Sequence, residues 1–285
     1  MLLTHSSMKL FNTCPRAFKL RYLDRLARPM EHRNAASALR FGSIVHQGLA
    51  NHWRGRPLLE GIKVLPSHDD DAVEIDVIDA TPDTMVIEDA QALAMIEAYH
   101  EHYTEDGNTY DVESIEAPFE TRHYKGQVDG VVLDHEGVRF LLEHKTASKA
   151  DALYWAHLNI DMQIRLYCHA IEADAVLYDV LIKPAIRQKK TESNAEFLAR
   201  YKQEITFERR TIYLDEDDIA EAMRDAFEIR KQIENSCFPK SRGACTTVAS
   251  CCPYFDLCAG LKTVDDYEVK EADEEIEGAP IYRRL

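Results

Sequence analysis

No run of about 18 consecutive apolar residues occurs in these 285 residues, so a membrane-spanning helix is not expected. The opening stretch, MLLTHSSMKLFNTCPRAFKLRYLDRL, has no apolar signal-peptide core and turns basic almost at once. There is no G-x-x-x-x-G-K-[ST] run, which excludes a P-loop ATPase and the motor of a helicase. Internal repeats are absent, and the only biased segment is an acidic stretch near the end. The seven cysteines contain no Cys-x-x-Cys pair, the usual local unit of a zinc finger. On this reading a cytoplasmic globular protein is expected. In such reducing surroundings its cysteines are expected to be metal ligands or buried thiols rather than disulfides.

The charge is strongly negative at −16, which argues against a nonspecific coat for nucleic acid. It is, however, unevenly spread. Residues 1–35 hold seven Lys and Arg against Asp24 and Glu31, whereas residues 264–278 hold eight acids against Lys270. The stretch DDDAVEIDVID (69–79) is acidic as well. An acidic protein can still carry one basic channel, although a solvated helix face would also account for the basic start.

The periodicity predicts one or two helices over 6–28, with Ser6 or Ser7 as cap and Pro15 opening a second turn. A helix is expected over 36–54 with Phe41, Ile44, Val45 and Leu49 buried, then a loop or insertion over 55–80, then a helix over 84–105. Strand-rich segments follow at 111–124, 127–134 and 138–145, the last two joined by the tight turn Asp134-His135-Glu136-Gly137. A helix over 149–172, a buried strand over 174–185, a short helix at 195–206, a strand at 207–214 and a long helix at 216–235 complete the pattern. The fold class is α/β, a central mixed sheet flanked by helices. A single domain over 1–263 is expected, followed by an acidic flexible tail over 264–285.

Glu143 and Lys145 lie two apart on an expected strand and so share a face, while Leu142 and His144 face the other way. Asp129 lies on the adjoining hairpin strand. Two carboxylates suit Mg²⁺ or Mn²⁺, which polarises a phosphate and acidifies bound water. A nearby ammonium stabilises the crowded anion that forms on attack. An isolated D…E-x-K match is more often a surface ion pair. Here the following helix adds Gln163 and Tyr167, four apart and on one face.

The combination resembles the PD-(D/E)XK nuclease superfamily, and within it the RecB-like exonuclease branch with an iron–sulfur cluster, which includes CRISPR-associated and phage exonucleases. Asp129 resembles the motif II acid, without the literal preceding proline, since Val128 stands there. Glu143-His144-Lys145 resembles motif III, Gln163 to Tyr167 the QxxxY motif, and Phe41 to His46 the G-x-x-x-H helix. The restriction-endonuclease-like core follows from the resemblance. So does a metal held by His46, Asp129, Glu143 and the backbone carbonyl of His144, with Lys145, Gln163 and Tyr167 completing the catalytic set.

The run from Cys245 to Cys258 and the Cys14-Pro15-Arg16 triplet resemble the two halves of that branch's cluster motif. They imply a [4Fe–4S] cluster on Cys14, Cys245, Cys252 and Cys258, with Cys251 as the alternative to Cys252 and Zn²⁺ as the alternative group. The implied activity is a DNA exonuclease of phage or prokaryotic recombination and repair, acting on single strands or free ends. Arg16, Lys19 and Arg21 would then grip phosphates. The alternatives are a CRISPR spacer-processing exonuclease and a noncatalytic DNA-end-binding scaffold. A homo-oligomer or a recombination partner is compatible with either role.

Overall fold

The computed structural model describes residues 2–27, 38–67, 74–235, 237–246, 251–270 and 282–284. Arg28 and Arg33 of the basic start, Asp69 to Asp71, and most of the acidic tail lie outside the described residues.

In chain order the elements are α1 (His5–Thr13), α2 (Pro15–Phe18), a wide turn of π type (Lys19–Leu23), β1 (Leu26–Ala27), α3 (Ala38–Trp53), β2 (Lys63–Val64), β3 (Ile75–Asp76), α4 (Ile87–His102) and α5 (Asp106–Thr109). Then come β4 (Tyr110–Thr121), β5 (Lys125–Asp134), β6 (Arg139–Ala147), α6 (Ala152–His157), α7 (Met162–Ile171), β7 (Ala175–Ile182), α8 (Asn194–Gln203), β8 (Thr206–Tyr213), α9 (Glu216–Glu234), α10 (Phe255–Ala259), β9 (Glu268–Val269) and β10 (Tyr282–Arg284). The chain divides into two compact units, each built from separate stretches of sequence.

The larger unit spans residues 35–117 and 128–214. Its sheet has the order β4-β5-β6-β7-β8. β5 and β6 pair antiparallel with Gly130 opposite Leu142. The turn between them closes because the Asp134 carboxylate accepts the backbone N–H groups of Glu136 and Val138, both at 2.9 Å, while Gly137 takes a φ of 82° that suits glycine. β6 and β7 pair parallel, so the chain must cross over between them, and α6 and α7 make that crossover. β7 is buried almost throughout, as its apolar run AVLYDVLI demands, and β8 pairs with it antiparallel.

α3 and α4 pack on each other through Ile44, Val45, Leu49, Leu93 and Ile96, all buried. This fixes which face of α3 is left for His46. The helix expected over 149–172 is in fact two, and Asp161 is the reason. Its carboxylate caps α7 by accepting the Ile164 N–H at 3.1 Å. The buried Arg165 guanidinium holds the break by donating to the carbonyls of Leu158, Asn159 and Asp161. The stretch expected as a loop carries the small β2–β3 ribbon.

The smaller unit comprises residues 1–34, 118–127 and 215–285. α1 is capped by Thr4, not Ser6 or Ser7: the Thr4 hydroxyl accepts the Ser7 N–H, and the Ser7 hydroxyl accepts the Thr4 N–H in return. Pro15 opens α2 as expected. Ala17, Leu20, Leu26, Tyr254 and Tyr267 form its buried cluster. Near the end of the chain, β9 pairs with β1, and β10 pairs with residues 119–121 of β4.

Gly48 of α3 makes the α3–α4 contact close. A Cβ there would lie 2.5–2.6 Å from three side-chain atoms of buried Ile96. Overpacking costs about 1–3 kcal/mol, more than the ~1 kcal/mol that alanine gains in helix propensity. Gly48→Ala should therefore lower stability in urea denaturation, and should cost less when introduced into a chain that already carries Ile96→Ala than into the wild type. An unchanged midpoint for Gly48→Ala would contradict this packing.

Candidate active site and thiol group

The larger unit brings together the expected site residues from four elements. His46 projects from α3, Asp129 from β5, Glu143 and Lys145 from β6, and Gln163 and Tyr167 from α7. The imidazole Nδ1 of His46 lies 3.2 Å from Oδ1 of Asp129. The other oxygen, Oδ2, accepts the backbone N–H of His144 at 2.7 Å. Glu143 is buried and ion-paired with the Lys145 ammonium, and its Oε1 accepts the Gln163 amide at 3.1 Å. Tyr167 is buried on the same α7 face.

The electrostatics separate the two acids. Burial opposes ionisation of Asp129, yet the His46 charge and hydrogen bonds from His144 and His46 hold it well below the usual carboxylate range. Burial pushes the Glu143 carboxyl up; Lys145 opposes this, and Asp129 adds to it. Attraction to Asp129 lifts the His46 imidazole to about 9 against the effect of burial. Lys145 is raised despite its burial, because Glu143 and Asp129 favour the ammonium. The Tyr167 phenol is raised chiefly by burial.

Two residues beside this set were not singled out in the sequence. Glu116 of β4 places a carboxylate oxygen within 4.8 Å of ligand atoms on both His46 and Asp129. Among the described residues this is the group of three His, Cys, Asp or Glu side chains close enough to share an ion. Ligand atoms bound about 2.1 Å from one cation lie within roughly 4.2 Å of each other, so the spacing fits a small hard ion with little adjustment. The signal in the sequence was faint: one acid between Ile115 and Ala117 on a strand already rich in glutamate.

The other is Trp53 at the end of α3. Its indole Nε1 donates to Nε2 of buried His144 at 3.1 Å. An indole nitrogen only donates, so Nε2 of His144 is an acceptor and its ring proton sits on Nδ1. That Nδ1 faces Oδ2 of Asp129 at 3.5 Å. Behind His144 lies a buried network. Tyr99 donates to Asp179 at 2.6 Å; Arg209 bridges Asp179 and Asp106 and also reaches the Tyr99 hydroxyl at 3.0 Å. Asp179, a lone acid in the apolar run of β7, was the visible hint.

In the smaller unit, Cys14, Cys245, Cys252 and Cys258 are each half-buried, while Cys251 and Cys237 are exposed. Cys14, Cys252 and Cys258 pack against the Tyr254 and Tyr267 cluster. Burial raises the Cys252 thiol, and the neighbouring sulfurs of Cys14, Cys245 and Cys258 add to it. The Ser241 N–H points at the Cys14 sulfur at 3.5 Å. Cys168 is buried in α7 of the larger unit, apart from this set. Of the three basic residues expected to contact phosphates, Arg21 is exposed, Lys19 is ion-paired with Asp24 at 2.6 Å, and Arg16 lies near enough to Cys258 to favour its thiolate.

A mixed sheet carries two acids and a lysine beside an imidazole, an arrangement chemically suited to phosphodiester hydrolysis. The chain belongs to the PD-(D/E)XK nuclease superfamily, whose family model matches residues 2–259. No curated protein matches it. A solved structure titled "Crystal structure of SSO0001" is similar at 16% identity over 60% of this chain and 71% of that one, with a TM-score of 0.28, too loose a likeness to carry an argument. No helix among the described residues is long and apolar enough to cross a membrane.

Removing Arg209 would strand two buried carboxylates, a change that costs about 3–5 kcal/mol. Arg209→Met should lower stability by that order in chemical denaturation. Arg209→Lys should not restore it, because one ammonium cannot span both acids. Asp106 is also informative. Burial opposes its ionisation, but His52 and Arg209 hold its carboxyl below 3.8. Its contribution is therefore present above the ordinary aspartate range and lost as the pH falls through and below it. Asp106→Asn should flatten the acid limb of the stability–pH curve; an unaltered limb would refute the assignment.

Proposed function

We propose that this protein is a metal-dependent DNA exonuclease of the RecB-like branch, hydrolysing phosphodiester bonds at DNA ends in recombination or repair. The observation that carries this reading is the pairing of His46 with Asp129 and of Lys145 with Glu143, from α3, β5 and β6 of the larger unit. An imidazole with carboxylates is a suitable donor set for Mg²⁺ or Mn²⁺, the imidazole favouring Mn²⁺ over a site of oxygens alone. His46, Asp129, Glu143 and the backbone carbonyl of His144 would hold it. When bound, such an ion polarises a phosphate and acidifies water.

The chain's own groups supply the rest. The His46 charge, with hydrogen bonds from His144 and His46, holds Asp129 well below the usual carboxylate range, and the His144 backbone N–H orients its Oδ2. The Gln163 amide orients Glu143. Lys145 stays protonated across the neutral range, so its role is to place positive charge beside the scissile phosphate rather than to take a proton. Arg21, and Arg16 and Lys19 after rearrangement of their present contacts, would meet phosphates of the strand.

We further read Cys14, Cys245, Cys252 and Cys258 as the ligands of a [4Fe–4S] cluster, with Zn²⁺ as the alternative. The half-burial of these four against the exposure of Cys251 supports Cys252 over its neighbour. Such a cluster would act as a staple between sequence-distant segments of the smaller unit.

The decisive assay is an anaerobic one with Mg²⁺ or Mn²⁺ on 5′- and 3′-labelled single- and double-stranded DNA. Lys145→Ala should slow cleavage by about 10²–10³-fold while the chain stays folded. Intact DNA with folded, metal-supplied wild-type protein would overturn the nuclease reading, and retained DNA binding in that case would point to a scaffold. For the thiol group, Cys252→Ala or Cys258→Ala should bleach the visible absorbance of anaerobically purified protein and reduce its iron content. Colour and iron retained in both would remove the ligand assignment.

A further inference from the structure

Glu116 stands out from the whole molecule on two independent counts. Among the described residues, three other than glycine have positive φ: Arg25, Glu116 and Glu172. Glu172 ends α7, where a left-handed residue is an ordinary cap, and Arg25 lies in the turn before β1. Glu116, at φ 52°, lies inside the twelve-residue strand β4. A left-handed glutamate within a strand is a strained arrangement that persists only when its surroundings impose it.

Those surroundings are visible. Arg54, just beyond the end of α3, donates to the Ile115 carbonyl at 2.9 Å, pinning the peptide that enters Glu116. On the other side Gly130 follows Asp129. A Cβ at Gly130 would lie 2.8 Å from Cδ1 of Ile115 and 3.3 Å from the Ser114 carbonyl oxygen. Glycine at that position is what lets β4 approach the strand bearing Asp129. The kink is therefore held from α3 and admitted by β5, the two elements that supply His46 and Asp129. Re-aiming one side chain is what such irregularities do beside active sites.

The second count is chemical. The carboxylate so aimed comes within 4.8 Å of both His46 and Asp129. Glu143, held by Lys145 and Gln163, is not part of this three-residue group. Glu116 adds a second carboxylate beside the His46 imidazole and the Asp129 carboxylate.

We propose that Glu116 is a metal-ligating residue, forming with His46 and Asp129 a position for a divalent cation. This deepens the nuclease reading and rests on it for the role of the ion in catalysis, but the binding itself is testable alone. The competing account is that Glu116 merely helps neutralise a protonated His46. The two differ in what a metal does.

The full-length protein, stripped with EDTA, is titrated with Mn²⁺ and free ion is followed by its EPR signal, alongside thermal unfolding in EDTA. Glu116→Gln should weaken Mn²⁺ binding at least about 10-fold with its melting temperature unchanged or raised. Glu116→Gly should weaken it equally and melt no lower than Glu116→Gln, because glycine accepts the left-handed backbone. Wild-type affinity in folded Glu116→Gln would overturn the proposal, even if cleavage were lost. Weakened Mn²⁺ binding in a protein whose wild type cleaves no DNA would uphold the ligand and sink the nuclease reading instead.

Discussion

A buried carboxylate survives in the charged form only where donors meet both its oxygens. Asp129 is the point at which this molecule solves that problem, and most of the larger unit is arranged around the solution. One oxygen faces the His46 ring on α3; the other takes the N–H of His144 from the neighbouring strand. The helix, the hairpin and the strand that follows are thereby tied to a single side chain. These contacts hold Asp129 low while burial pushes Glu143 up, so two acids on neighbouring strands have opposite tendencies. Such a split is what a site needs if one carboxylate is to hold positive charge permanently and the other is to respond to what binds.

The support behind His144 extends that logic into the core. Trp53 fixes its tautomer, and the Tyr99, Asp179, Arg209 and Asp106 network occupies the space behind. Buried polar networks of this kind rigidify when every member is satisfied and are costly when one is missing. Here the network stands directly behind the residue whose backbone fixes Asp129. It belongs to the positioning of the site as much as to stability.

The sequence and the structure agree most closely where one local pattern leaves one option. The alternation that puts Glu143 and Lys145 on one face, the turn of Asp134 and Gly137, and the apolar face of α3 all appear as the residues indicated. They differ where the deciding contact, near or far in the chain, is a side-chain hydrogen bond or a strand pairing that the hydrophobic pattern does not record. The long helix expected over 149–172 breaks at Asp161 because Arg165 turns back onto carbonyls that helical periodicity does not reveal. The first helix starts from Thr4 because a reciprocal cap with Ser7 outcompetes the later serines. The described parts of the expected tail pair with strands more than a hundred residues earlier, which composition could not show.

The sequence by itself determined the alternation of helices and strands, the motif acids and lysine, and membership of a nuclease superfamily, because these depend on residue identity and short spacings. Tertiary structure alone decided that Glu116 turns toward His46 and Asp129, that Trp53 sets the His144 proton, and that Arg209 meets acids 30 and 103 residues away. The reason is physical. A side chain's chemistry is local, but its partners are chosen by which segments the packed sheet and helices bring within a hydrogen bond of one another.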